Sequence, residues 1–238
     1  MEAVLVLLEG GTPNGPQALR ASDGLVVDWD MVPGADPSKV YDRSGVGAAL
    51  DLTIETLANV TWVPEGLRFD AATRADEFAT DIDTALTASN ELAIEMFVTP
   101  LNVNQEGPAR IFSLADVSDP ASDRNLMIGQ GRWSGLSYEE IRVRCRTTTT
   151  DDDGLPALVT PSGSITPTQM HMVYNRAANG DEEYWINGVL VASGNRGGNF
   201  SNWQSAPLIT LGNEASGVER PWLGTLGRVV VFDRPLTA

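Results

Sequence analysis

Cysteine, histidine and basic side chains are all scarce in this 238-residue chain, and each shortage closes off a kind of chemistry. A single cysteine, Cys145, permits no internal disulfide and supplies no cysteine pair for a zinc site. It alternates with Val143 and Ile141 and reads as a small core residue. The single histidine, His171, would have to serve as the only base of any Ser-His-Asp triad, and no G-x-S-x-G turn exists to present a nucleophile. A structural or exposed role is expected for it. Lysine and arginine total 16 against 32 acidic side chains, so the net charge is −16 and the pI near 4.3. A surface of that sign repels nucleic acid and anionic membranes, and neither is expected as a partner. Long apolar runs are missing too. Residues 3–8 are apolar, far short of the ~20 residues that cross a bilayer. Glu2 and Glu9 bracket that run, so no export signal is visible in it, and no membrane insertion is expected.

Helical spacing is confined to residues 71–90, where Ala75, Phe78, Ala79, Ile82 and Leu86 predict one or two turns. Period-2 patterns fill most of the rest. Leu92, Ile94, Met96 and Val98 alternate with Glu91, Ala93, Glu95 and Phe97, which predicts a half-buried strand. Further strands are predicted at 25–30, 50–54, 60–62, 66–69, 109–116, 125–129, 135–147 and 157–160, with turns between them. In residues 171–236 the runs HMVY, YWI, VLV, LITL and GRVVVF are cut by glycine and asparagine. Asn187–Gly188 lies between 184–186 and 189–191, the strongest short-range hairpin signal, because both central residues of a type I′ turn need positive φ. The expected class is an all-β antiparallel sandwich with at least ten strands and at most two short helices.

This order, with ELAIEMFVTP (91–100) and the Asp-x-Ser-Gly turn of VYDRSG (40–45), resembles the laminin-G-like domains of bacterial type in the concanavalin A-like lectin/glucanase superfamily. The resemblance implies a jelly roll over residues 22–238, preceded by an extension at 1–21 that contains a short strand. It implies an extracellular or cell-envelope setting and raises Ca²⁺ as a cofactor. Asp116, Asp119 and Asp123 are the candidate ligands, with 151–153 a second acidic loop; solvated acidic loops are the alternative. Superfamily glucanases place three carboxylates at alternate positions of one strand. Here Glu91 and Glu95 share a face, but Ala93 stands where that motif has Asp, so two solvated carboxylates are the better account. Glu182 and Glu183 are adjacent and point to opposite faces of a strand, a poor catalytic pair.

Arg142, Arg144 and Arg146 place three guanidinium groups on one strand face. Either carboxylates on neighbouring strands, Glu91 and Glu95 among them, form an ionic ladder with them, or the face is a groove for an acidic or sulfated glycan. Among the aromatics, Trp29, Trp62 and Trp185 fall within strand patterns, and Trp222 is expected in the core. Trp133, beside Arg132 in GQGRWSG, and Trp203, in GGNFSNWQ, occupy loops and are the candidate ligand contacts. Asn-x-Ser/Thr sequons occur at Asn59 and Asn199.

The expected function is non-catalytic: an adhesion module that recognises a glycan or an extracellular protein through rim loops. One alternative is a glycan hydrolase or lyase. The other is a structural domain decorating a filament or envelope assembly, in which the 3–8 strand of the extension pairs with a neighbouring chain.

Overall fold

The computed structural model describes residues 22–105, 107–116, 124–132, 139–215 and 220–236. The 1–21 extension lies outside the described residues. The strands, in chain order, are β1 (Leu25–Trp29), β2 (Lys39–Val40), β3 (Leu52–Ile54), β4 (Val60–Val63), β5 (Gly66–Phe69) and β6 (Ala75–Phe78). Helix α1 (Thr80–Ser89) follows, then β7 (Leu92–Pro100), β8 (Ala109–Ala115), β9 (Arg124–Gln130), β10 (Ile141–Cys145) and β11 (Leu158–Val159). The chain ends with β12 (Met170–Arg176), β13 (Asp181–Ile186), β14 (Val189–Asn195), β15 (Leu208–Leu211) and β16 (Gly224–Phe232).

These strands form two sheets packed face to face. The first runs β14-β13-β12-β7-β16-β5-β4, with β1 sharing the β5 side of β16; the second runs β11-β10-β9-β8-β15-β6-β3-β2. Every pairing between these strands is antiparallel. No helix among the described residues is long and apolar enough to cross a membrane.

Alternation decides which side chains meet between the sheets. Leu92, Ile94, Met96 and Val98 of β7 face Ile141, Val143 and Cys145 of β10 across one continuous apolar core that also takes in Trp29 and Trp222. Burial pushes the Cys145 thiol up to about 11, despite the opposing charge of Arg196. The hairpin at Asn187–Gly188 forms as the sequence predicts. Ile186 pairs with Val189, and the two turn residues adopt φ values of 51° and 77°.

Four expectations need correction. First, Ala75 and Phe78 are not helical. The segment Ala75–Phe78 is captured as a strand by β15 on one side and β3 on the other. The helix starts only after Ala79 and runs ten residues, longer than one or two turns. Ile82 and Leu86 form its buried stripe, Asp81 and Asp83 favour its N-terminus, and Asn90 ends it in the left-handed region. Second, β7 is not half-buried. Hydrogen bonds between Asn175 and Leu236 hold the C-terminal segment across the outer face of the first sheet, and Ala93, Val230 and Phe232 are covered there. Third, Trp62 and Trp185 are only half-buried, while Trp29 and Trp222 are fully enclosed. Fourth, the strand expected over 135–147 spans only Ile141–Cys145 among the described residues.

A buried ion pair joins the two sheets at one end. Glu182 of β13 receives Nη2 of Arg196 at 3.1 Å and Nε at 3.2 Å, and the Tyr174 hydroxyl at 3.0 Å. Nη1 of the same arginine donates to the carbonyl oxygens of Cys145 and Gly154. The first sheet is thereby tied to the end of β10 in the second.

Candidate functional site

Arg142 and Arg144 of β10 lie where their spacing predicts, on the outer face of the second sheet, because Ile141, Val143 and Cys145 take the inner one; Arg146 follows directly after the strand. Their acids, however, are not Glu91 and Glu95, which belong to the other sheet. Glu140, just before β10, holds Arg142 through Nε and Nη2, each at 2.7 Å. Asp152 takes Arg146 at 2.8 Å, and Asp153 lies 3.6 Å from Arg144. The acidic loop 151–153 is solvated at Asp151 and Asp152, as one reading expected, and it also folds back onto the strand. Asp151 fixes its shape by accepting the Leu155 amide, and Thr147 sits fully buried at its base.

Register brings more arginines to the same face. Arg142 pairs with Gly129, and Gly129 pairs with Arg110 of β8, so Arg142 and Arg110 flank a residue with no side chain. Arg124 opens β9 and contacts Asp153. Glu214, after β15, lies 3.2 Å from Arg110, 3.9 Å from Arg124 and 3.7 Å from Arg220. Glu214 and Arg220 are each anchored beside β8. Asn213 accepts the Glu214 and Arg220 amides, and the Arg110 amide bonds the Arg220 carbonyl. Arg110 is consequently fully enclosed although it belongs to an outer face.

This is a concentration of positive charge in a chain of net charge −16. Burial, and then the guanidinium of Arg124, push Arg110 down to about 9, against the pull of Glu214. Arg144 is also lowered, by burial first; Asp153 opposes the shift, and Arg124, Arg220 and Arg142 add to it. Guanidinium groups carry in-plane donors that match a carboxylate or a sulfate, so the face can bind an anion.

Of the other predicted contacts, Arg132 is exposed just beyond β9. Trp203 is buried against Phe200, and its indole N–H donates to the Arg146 carbonyl, so its ring belongs to the core cluster. Trp133 lies outside the described residues. So do Asp119 and Asp123; Asp116 is half-buried at the end of β8. Among the described residues, no group of three or more His, Cys, Asp or Glu side chains converges as a metal site.

On the outer face of the first sheet, Glu95 is not the solvated carboxylate expected from alternation. It is buried and meets Nε2 of His171 at 2.6 Å, and the imidazole stacks on Phe97. Glu91 accepts the Ala178 amide instead. Nearby, Arg228 grips both oxygens of Asp28, at 2.8 and 2.7 Å. Sequence reasoning missed Arg110, Arg124 and Glu214. Arg110 and Arg124 were visible as charges inside otherwise apolar strands, the one signal available.

Comparison with known proteins adds a family. The model described as the concanavalin A-like lectin/glucanases superfamily matches residues 73–238. No curated protein matches by sequence. Among solved structures, the chain is similar to Trypanosoma rangeli sialidase in complex with 2,3-difluoro-KDN, at 18% identity and a TM-score of 0.63. That match covers 90% of this chain but 31% of the sialidase, so the chain spans about a third of it. The CBM40 of Ruminococcus gnavus IT-sialidase is similar at 15% identity and a TM-score of 0.51, over 65% of this chain and 82% of the module. At such identities these likenesses establish the β-sandwich fold.

Proposed function

The chain belongs to the concanavalin A-like lectin/glucanases superfamily, and from that premise we propose that it is a non-catalytic module that recognises a glycan. The observation that carries this reading is the arginine-rich outer face of the second sheet, centred on β9 and β10. Saccharides bind through dense hydrogen bonding to planar polar groups, and Arg142 and Arg144 offer donors there that are held in place by Glu140 and Asp153. The module acts outside the cell or on its envelope, where glycans are displayed, and its role is adhesion. Screening the folded protein on a broad glycan array tests the reading. Binding to a defined set of glycans is expected; a blank array from folded, monodisperse protein would remove it.

A second reading has one observation in its favour, the close Glu95–His171 pair. Two titratable groups 2.6 Å apart beside an aromatic ring could exchange a proton with a glycosidic oxygen. A retaining or inverting glycosidase needs a second carboxylate across the scissile bond, and Ala93 stands at the alternate position. Reducing-sugar release from laminarin, agar or alginate that disappears in Glu95→Gln would establish this alternative.

A further inference from the structure

The glycan-binding reading above leaves the ligand's chemistry open, and the inference made here rests on it. We infer that the outer face of the second sheet selects a saccharide bearing a single acidic group, a carboxylate or a sulfate, which docks at the junction of Arg110, Arg124 and Arg144.

Unmet donors mark the junction. Among the described residues, Nε of Arg110, Arg124 and Arg144 has no hydrogen-bond acceptor, and neither does Nη2 of Arg110, although Oε2 of Glu214, itself unmet, lies 3.2 Å from the latter. The Ser113 hydroxyl, buried in the same row as Arg144 and Met127, is likewise unmet. A desolvated guanidinium with idle N–H groups is expensive, and a structural ion-pair knot would align its acids with those donors. Here one carboxylate, Glu214, is spread over three guanidinium groups, and Asp153 is shared between Arg124 and Arg144. Arg110 and Arg144 are lowered first by burial, and the neighbouring guanidinium groups add to it. The idle donors and the crowded guanidinium groups are both relieved by one incoming anion.

The way in is through the partly exposed members. The side chains of Arg142, Arg144 and Arg220 are 17%, 16% and 20% exposed, whereas Arg110 lies at the floor. An acidic group arriving from solvent meets these three first, and Arg144 is the one of them that also belongs to the junction. Charge also limits the ligand's size. The cluster's attraction is screened beyond a Debye length of roughly 8 Å, so the further charges of an extended polyanion gain nothing from it and lie over a chain of net charge −16. A saccharide with one acidic group fits better than a heavily sulfated chain or a nucleic acid.

The test is an array of matched acidic and neutral glycans, with sialyllactose and 3′-sulfolactose against lactose. Calorimetry on the hits follows, using the wild-type chain, Arg144→Gln, Arg144→Lys and the exposed control Arg43→Gln. Thermal melting confirms that each variant folds. Hits confined to acidic members are expected, and the carboxylate and sulfate arms tell which group is preferred. Arg144→Gln should weaken binding about ten-fold or more, Arg144→Lys should restore part of it, and Arg43→Gln should change nothing. Equal binding of acidic and neutral partners, or undiminished binding by Arg144→Gln, would overturn the inference and leave the glycan reading standing. Inorganic sulfate binding as tightly as 3′-sulfolactose would show an adventitious ion only and would overturn it as well. Failure of every glycan, acidic or neutral, would sink both.

Discussion

Replacing Glu182 by Gln should be among the most damaging single changes outside the apolar core. Both members of the Glu182–Arg196 pair are 5% exposed, and Glu182 accepts three hydrogen bonds, one from Tyr174 and two from Arg196. Burial pulls the Arg196 guanidinium down, but the Glu182 hydrogen bonds and nearby charges outweigh it, so its pKa lies above the ordinary arginine value. Glutamine keeps the shape and one acceptor oxygen but removes the counter-charge. Breaking one side of a buried pair costs about 3–5 kcal/mol, and the retained oxygen places Glu182→Gln near about 3 kcal/mol. Against a total stability of about 5–15 kcal/mol, that is a large fraction. Urea unfolding followed by tryptophan fluorescence measures it. Glu182→Gln combined with Arg196→Met removes both charges, so the pair should cost well under the sum of the single losses. Because Arg196 also holds the Cys145 carbonyl, Glu182→Gln should speed labelling of the buried Cys145 thiol in native buffer. A loss below about 1 kcal/mol, or strict additivity in the double variant, would refute the reasoning.

Gly66→Ala should lower the melting temperature sharply. A Cβ there would stand 2.0 Å from the Leu226 carbonyl oxygen, so β5 would have to part from β16; overpacking of this kind costs about 1–3 kcal/mol or more. A melting temperature within 1–2 °C of the wild type, on the order of a few tenths of a kcal/mol, would contradict this. Gly188→Ala should cost about 1 kcal/mol by placing a side chain at φ 77° in the hairpin turn, as read by calorimetry. Between pH 9 and 11 the folded state retains the Cys145 proton that the unfolded chain releases, so stability is complete below pH 9 and falls through that window. Cys145→Ser tested across the same window should show a flatter alkaline limb. Glu95→Gln should leave glycan affinity within about two-fold, because Glu95 lies on the sheet opposite the arginine face.

Local signals in the sequence were read well, and distant pairing was not. The alternation of Ile141, Val143 and Cys145 with Arg142 and Arg144 gave the correct face directly, as did the Asn187–Gly188 turn, because both depend on neighbours along the chain. The partners of Arg144 and Arg146 come from a returning loop at 152–153, which residue type alone marks as solvated. Arg110 escaped for another reason. A register shift between Arg110 and Phe112 breaks the period of two within β8, and the segment carrying Glu214 covers the strand's outer face. With both faces of β8 and β9 buried, no alternation of polar and apolar residues remained to be read. Glu95 likewise looked solvated because its cover, His171, comes from a strand some 76 positions away. The apolar spacing over 71–90 was helical in part, but sheet pairing claimed Ala75 and Phe78 before the helix could begin.

Hydrogen exchange with and without a bound glycan tests the central claim most directly, because the two outer faces lie on different sheets. The account predicts that protection on binding concentrates in Arg124–Gln130 and Ile141–Cys145 of the second sheet, with the first sheet unchanged. Protection confined to Leu92–Pro100 and Met170–Arg176, the strands of Glu95 and His171, would contradict it.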